Sequence, residues 1–180
     1  MAHQLKSISK AGIPEAVAKA ELYRYINEPE EAESICRDIL AIVPDHQLAL
    51  RMLGLAITDQ FIGAAGDRYP EAQSIFQSLR DPYERSYYTG LLYERRAKAQ
   101  LLVGYAAHIL LPLVEEAMRC FAEAEKIRPV GNDDSILRWN RCVRLLESRP
   151  DFHFDRGPAV FDAEDSPPVS TPTRRAGGHH

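Results

Sequence analysis

A chain of 180 residues, 45% hydrophobic and 27% charged, is long enough for one well-cored domain and too short for two large ones. Its formal charge of −4 lacks the cationic excess that nucleic acid demands, so no nucleic-acid partner is expected. The longest apolar stretch, residues 101–114, contains Gly104, His108 and Pro112 and falls short of the ~20 residues of a membrane helix, so no membrane partner is expected either. Cys36, Cys120 and Cys142 are odd in number and form no close pair, and Met1 to Lys6 carry no apolar signal core. Both features point to free thiols in a reducing, cytoplasmic setting.

Prolines mark the expected helix starts, because a proline in the first turn lacks only an amide hydrogen that has no intrahelical acceptor. Seven helices and no strand are predicted. The first runs from about Pro14 to Ile26 and stops at Asn27; the second runs from Pro29 to Val43. The third follows Asp45 as its cap and carries Leu50, Leu53, Gly54 and Ile57 on one face. The fourth runs from Pro70 to Leu79. Asp81-Pro82 opens the fifth and longest, which reaches about Ala107, and the sixth runs from Pro112 to Ile127. Gly131-Asn132-Asp133-Asp134 forms a loop and cap before the seventh, marked by Ile136, Trp139, Val143 and Leu146. Residues 1–12 read as an extension and 13–147 as the helical domain. Residues 148–180 hold five prolines, three glycines and no periodicity, so they read as a disordered tail whose Phe152, Phe154 and Phe161 would tack it to the body.

A pattern recurs along these helices: Ala32, Cys36, Ile39, Pro44; then Ala72, Phe76, Leu79, Pro82; then Ala117, Phe121, Ala124, Pro129. The alanine lets a neighbouring helix approach closely, the i, i+4, i+7 residues form a stripe, and the proline ends the helix. Such recurrence suggests stacked helical hairpins. Glu31-Ala32 with Cys36, Ile39 and Pro44, then Leu50, Leu53, Gly54 and Ile57, resemble the second and following first helix of tetratricopeptide repeats. Gly66-Asp67-Arg68-Tyr69 with Glu71-Ala72 and Phe76 resembles that family's intra-repeat turn, and Glu116-Ala117, Phe121, Ala124 and Pro129 match its signature best. The departures are that Ala32, Ala72 and Ala117 lie 40 and 45 residues apart, beyond the family's unit of about 34, and that Pro82 comes two residues early. Asp81-Pro82-Tyr83-Glu84-Arg85, Glu94-Arg95-Arg96-Ala97 and Arg138-Trp139-Asn140 also resemble a group of uncharacterised bacterial repeat proteins. The resemblance implies an all-α, right-handed helical-hairpin stack of three helix pairs plus a capping helix.

It also implies a concave face that holds a protein or peptide partner, acting as a scaffold or adaptor. Projected from the small positions, that groove takes Val17, Glu21, Arg24, Arg51, Leu55, Thr58, Tyr87, Tyr88, Leu91 and Glu94, with Arg141 and Arg144 from the seventh helix. The competing reading makes the tyrosines core and the arginines a solvated face. Some family members grip a terminal carboxylate with lysine and asparagine; here those places hold Val17, Glu21 and Met52, so that clamp is absent. Residues 101–114 are apolar on nearly every helical face and are either sunk in the core or covered by a second copy, which makes a homodimer the alternative. Asp81, Glu84, Arg85, Glu94, Arg95 and Arg96 read as a surface laced with ion pairs. The histidines are scattered, and no Cys-x-x-Cys, phosphate loop or serine elbow occurs. No metal, cofactor or catalysis is expected; an enzyme would need residues joined by the fold, such as Cys120 with His108. A pocket beneath Tyr87, Tyr88 and Trp139 is the small-molecule alternative.

Overall fold

The computed structural model describes residues 3–62 and 68–153, which contain seven α-helices and no strand. These are α1 (Ile13–Tyr25), α2 (Pro29–Ile42), α3 (Gln47–Asp59), α4 (Tyr69–Gln77), α5 (Pro82–Leu102), α6 (Ala107–Lys126) and α7 (Asp134–Ser148). Short 3-10 turns precede α1 at Lys10–Gly12 and follow α7 at Pro150–Phe152. The chain is all-α. Pro14, Pro29, Pro70 and Pro82 stand in the first turns of α1, α2, α4 and α5, where each omits a hydrogen bond that the helix does not use. The Asp81 carboxylate caps α5 by accepting the Tyr83 N–H at 2.8 Å.

Three expectations about helix ends are corrected. His46, not Asp45, caps α3, its Nδ1 accepting the Ala49 N–H at 3.2 Å, while Asp45 is drawn into an ion pair with Arg80. α5 stops at Leu102 rather than Ala107. Gly104 adopts φ +93°, its N–H donates to Leu101 O at 3.1 Å, and the Tyr105 N–H donates to Gln100 O at 3.0 Å. This is a Schellman turn, which glycine closes without the penalty a Cβ would bring. The chain has therefore already reversed before Pro112, so α6 begins at Ala107 and Pro112 lies inside it. Residues 101–114 are not one apolar helix: Ala107, Leu110 and Val114 are buried, whereas Leu102, Val103, Tyr105 and Ile109 are exposed. The same turn geometry ends α1 at Asn27, with φ 64°, where Asn27 donates to Arg24 O and Glu28 to Tyr23 O.

Each helix packs on the next in sequence, and α1 with α3, α3 with α5 and α5 with α7 also touch. The recurring pattern becomes the interior: Ala32, Ala72 and Ala117 are buried, as are Cys36, Phe76 and Phe121. Gly54 on α3 receives the Phe76 ring from α4, and Gly90 on α5 receives the Phe121 ring from α6. One apolar cluster joins α1 through α4 with one side of α5; a second joins α5, α6, α7 and Phe152. Phe152, 1% exposed, extends the packed body beyond the boundary expected at 147. At the other end, Ile8 packs on the Ile13–Ile39–Ala49 cluster, and the Ser9 hydroxyl accepts the Gly12 N–H at 3.1 Å. Gly66, Asp67, Phe154, Phe161 and the remainder of the tail lie outside the described residues.

Candidate functional site

The contacts of α1 with α3, α3 with α5 and α5 with α7 define a candidate face on these alternate helices. Ion pairs strap it. Arg24 Nε on α1 lies 2.7 Å from Asp59 Oδ2 on α3, and Arg95 Nη1 on α5 lies 2.5 Å from Asp59 Oδ1. Arg95 also donates to Leu55 O at 3.2 Å and to the Thr58 hydroxyl, which itself donates back to Leu55 O at 2.9 Å. Arg51 on α3 pairs with Glu84 on α5 at 2.7 Å. Glu94 on α5 pairs with Lys98 one turn along and with Arg138 on α7 at 3.6 Å. The charge run on α5 therefore does not lace a single helix surface: Glu84, Glu94 and Arg95 reach across to neighbouring helices, and Arg96 stacks on Tyr69 at 4.1 Å.

The residues expected in the groove divide into three groups. Glu21, Arg141 and Arg144 are exposed, and among the described residues none of them joins an ion pair. Arg144 stands six residues beyond Arg138, about a third of a turn off its line, and so faces away from α5. Arg24 and Arg51 lie on the face but are tied to Asp59 and Glu84. Leu55, Leu91 and Glu94 are 8%, 3% and 1% exposed, which makes them interior rather than wall and corrects the expectation for all three. Among the described residues, Glu94 Oε2 and the Ser135 hydroxyl are buried without a hydrogen-bond partner. Thr58 is buried, and Val17 is half-buried against the Ile13–Ile39–Ala49 cluster. Tyr87 and Tyr88 are half-buried in an aromatic run: Tyr88 stacks on Phe76 at 5.4 Å, Tyr87 stacks on Tyr83 at 5.8 Å, and Tyr87 meets Phe121 at 5.9 Å.

Asp59, Lys98 and Arg138 belong to the same face and were not among the expected residues. Lys98 carried a local signal, since it stands i+4 from Glu94. Burial pushes the Arg95 guanidinium below its ordinary value, with Asp59 opposing. Between the ends of α3 and α5 an open cavity of about 190 Å³ is lined by Thr58, Asp59, Phe61, Ile62, Arg95, Lys98 and Ala99. A second, of about 350 Å³, lies away from this face between Ile8, Ser9, Gly12 and the α1–α2 pair. Neither borders Tyr87, Tyr88 and Trp139.

Among known proteins, no family model, no curated sequence and no solved structure matches this chain.

His108 and Cys120 share α6 and stand 12 residues apart, about 18 Å along the axis, so the fold does not bring them together. Cys36, Cys120 and Cys142 are buried. Burial pushes the thiols of Cys36 and Cys142 up to about 12 and that of Cys120 up to about 11, so all three remain protonated near neutral pH. Among the described residues, no group of three or more His, Cys, Asp or Glu side chains is placed to hold a metal ion, and no helix is long and apolar enough to cross a membrane. What the face presents is a fixed backbone, guanidinium and ammonium donors, and a patch of apolar wall.

Proposed function

We propose that this chain is a non-catalytic binding scaffold, a short right-handed stack of helix pairs of the tetratricopeptide kind, holding an extended protein or peptide segment against α1, α3, α5 and α7. The observation that carries the reading is the strapping of those alternate helices by Arg24–Asp59–Arg95, Arg51–Glu84 and Glu94–Arg138. A face fixed before its guest arrives loses little conformational freedom on binding. Three buried, protonated thiols suit a reducing compartment such as the cytoplasm.

Arg141→Glu provides the test, because Arg141 is exposed and unpaired among the described residues. Peptides selected on the native chain from a displayed library should bind the variant roughly tenfold more weakly, with circular dichroism and melting temperature unchanged. Equal binding by both proteins would remove α7 from the face. Arg51→Glu is a poorer probe, since it sets two carboxylates together where Arg51 now meets Glu84.

A second reading rests on Leu102, Val103, Tyr105 and Ile109, all exposed at the tip of the α5–α6 hairpin. Clustered apolar side chains of this kind mark association surfaces. If self-association is the function, light scattering across a dilution series should move from twice the 20.3 kDa chain mass towards the monomer. Leu102→Glu should leave the monomer alone.

A further inference from the structure

The cavity at the ends of α3 and α5 has two chemically distinct sides. Phe61, Ile62 and Ala99 form an apolar wall, on which Ile62 is 62% exposed, and Arg95 and Lys98 supply positive charge. The carboxylate there, Asp59, has one oxygen held by Arg24 and the other by Arg95. The next carboxylate, Glu94, is buried and engaged by Lys98 and Arg138. These two triads together set four cations against two carboxylates, on a chain whose net charge is −4. A fitting occupant is apolar at one end and acidic at the other.

The chain carries such a segment. Val160-Phe161 is followed by Asp162, Ala163, Glu164 and Asp165, two large apolar side chains and then three carboxylates within four residues. We propose that residues 160–165 dock in this cavity in cis, with Phe161 against Phe61, Ile62 and Ala99 and the acidic side chains against Lys98 and Arg95.

The reach is sufficient. Arg51–Glu84 and Asp59–Arg95 set α3 parallel to α5, and Tyr83–Asn132 with Glu94–Arg138 set α7 parallel to α5, so all three run towards one pole, and Phe152 packs beyond the end of α7 against α6 and α7. Two interaxial steps, from α7 to α5 and from α5 to α3, span about 20 Å, and the seven residues from Arg95 to the end of α5 add about 10 Å along the axis, a straight separation of about 23 Å. The nine residues from His153 to Phe161, eight steps along the chain, extend to about 26 Å. Tethering places the segment at an effective concentration of order millimolar, so even a weak contact is populated. The consequence for an external guest, which must first displace the tail, rests on the groove reading above; the contact itself does not.

A zero-length carbodiimide cross-link on the full chain tests it, joining a carboxylate to a lysine amine as an amide with loss of a urea. Lys98 is the lysine at this cavity; Lys6, Lys10, Lys19 and Lys126 stand elsewhere. With equal parts of natural-abundance and nitrogen-15-labelled chain, the expected product joins Lys98 to Asp162, Glu164 or Asp165 in isotopically unmixed pairs. In addition, a synthetic peptide of residues 158–168 should bind full chain carrying F161A, D162N, E164Q and D165N. The same peptide with Phe161→Ala should bind at least about tenfold more weakly. Tail cross-links spread evenly over all five lysines, or none at Lys98, overturn the proposal. So do isotopically mixed pairs, which would seat the segment of a second copy there. Either failure leaves the Arg141→Glu comparison intact, and equal binding in that comparison leaves the cross-link intact.

Discussion

At Gly54 and Gly90 a hydrogen atom stands where any side chain would meet an aromatic ring. A methyl group at Gly54 would lie 2.8 Å from Phe76 Cζ, and one at Gly90 would lie 2.8 Å from Phe121 Cε1. Both rings are fully buried and have no room to retreat. Alanine adds about 1 kcal/mol of helix propensity, but overpacking a rigid core costs about 1–3 kcal/mol. Gly54→Ala and Gly90→Ala should each therefore destabilise the fold by about 1–2 kcal/mol, read as a lower urea midpoint at unchanged slope. Gly54 was visible in the sequence as part of an apolar face, and its ring partner Phe76 was visible in the recurring stripe. Gly90 is not, because no small-and-large pattern in its own neighbourhood singles it out. The contact that makes it necessary comes from Phe121, 31 residues away.

Helix starts were legible wherever a proline began a turn unaided, at Pro14, Pro29, Pro70 and Pro82. Pro112 misled for a physical reason: the Schellman turn at Gly104 had already reversed the chain, and Ala107 opens α6 five residues earlier. A proline at that depth leaves the His108 carbonyl without its α-helical donor and crowds it. Pro112→Ala should therefore raise stability by about 1–3 kcal/mol, measured by thermal or urea unfolding. The candidate face was legible only in part. Arg24 and Arg51 were found, but their partners lie 35 and 33 residues away, beyond any local spacing rule. Glu94 reads as surface charge because its partner on α7, Arg138, lies 44 residues away, beyond any local spacing rule.

A polar cluster on other side chains ties α2 to the ends of α3 and α4. Glu33 accepts from Arg68 at 2.7 and 2.8 Å, from Gln60 at 2.8 Å and from Arg37 at 2.7 Å, and Glu71 joins from α4. Arg68 above all holds the Glu33 carboxyl down from 4.5 to about 2. A carboxylate whose pKa is lower in the folded chain stabilises that chain above the unfolded value, so its contribution is complete above 4.5 and fades as pH falls towards 2. Glu33→Gln should flatten this part of the acid limb in urea unfolding followed against pH, while the native chain loses stability steadily across it. Substantial contacts run between helices one or two places apart along the chain. Few long loops must close before neighbouring helices reward one another, so the entropic toll of reaching the transition state is small. Refolding after dilution from denaturant should be rapid, on the order of microseconds to milliseconds.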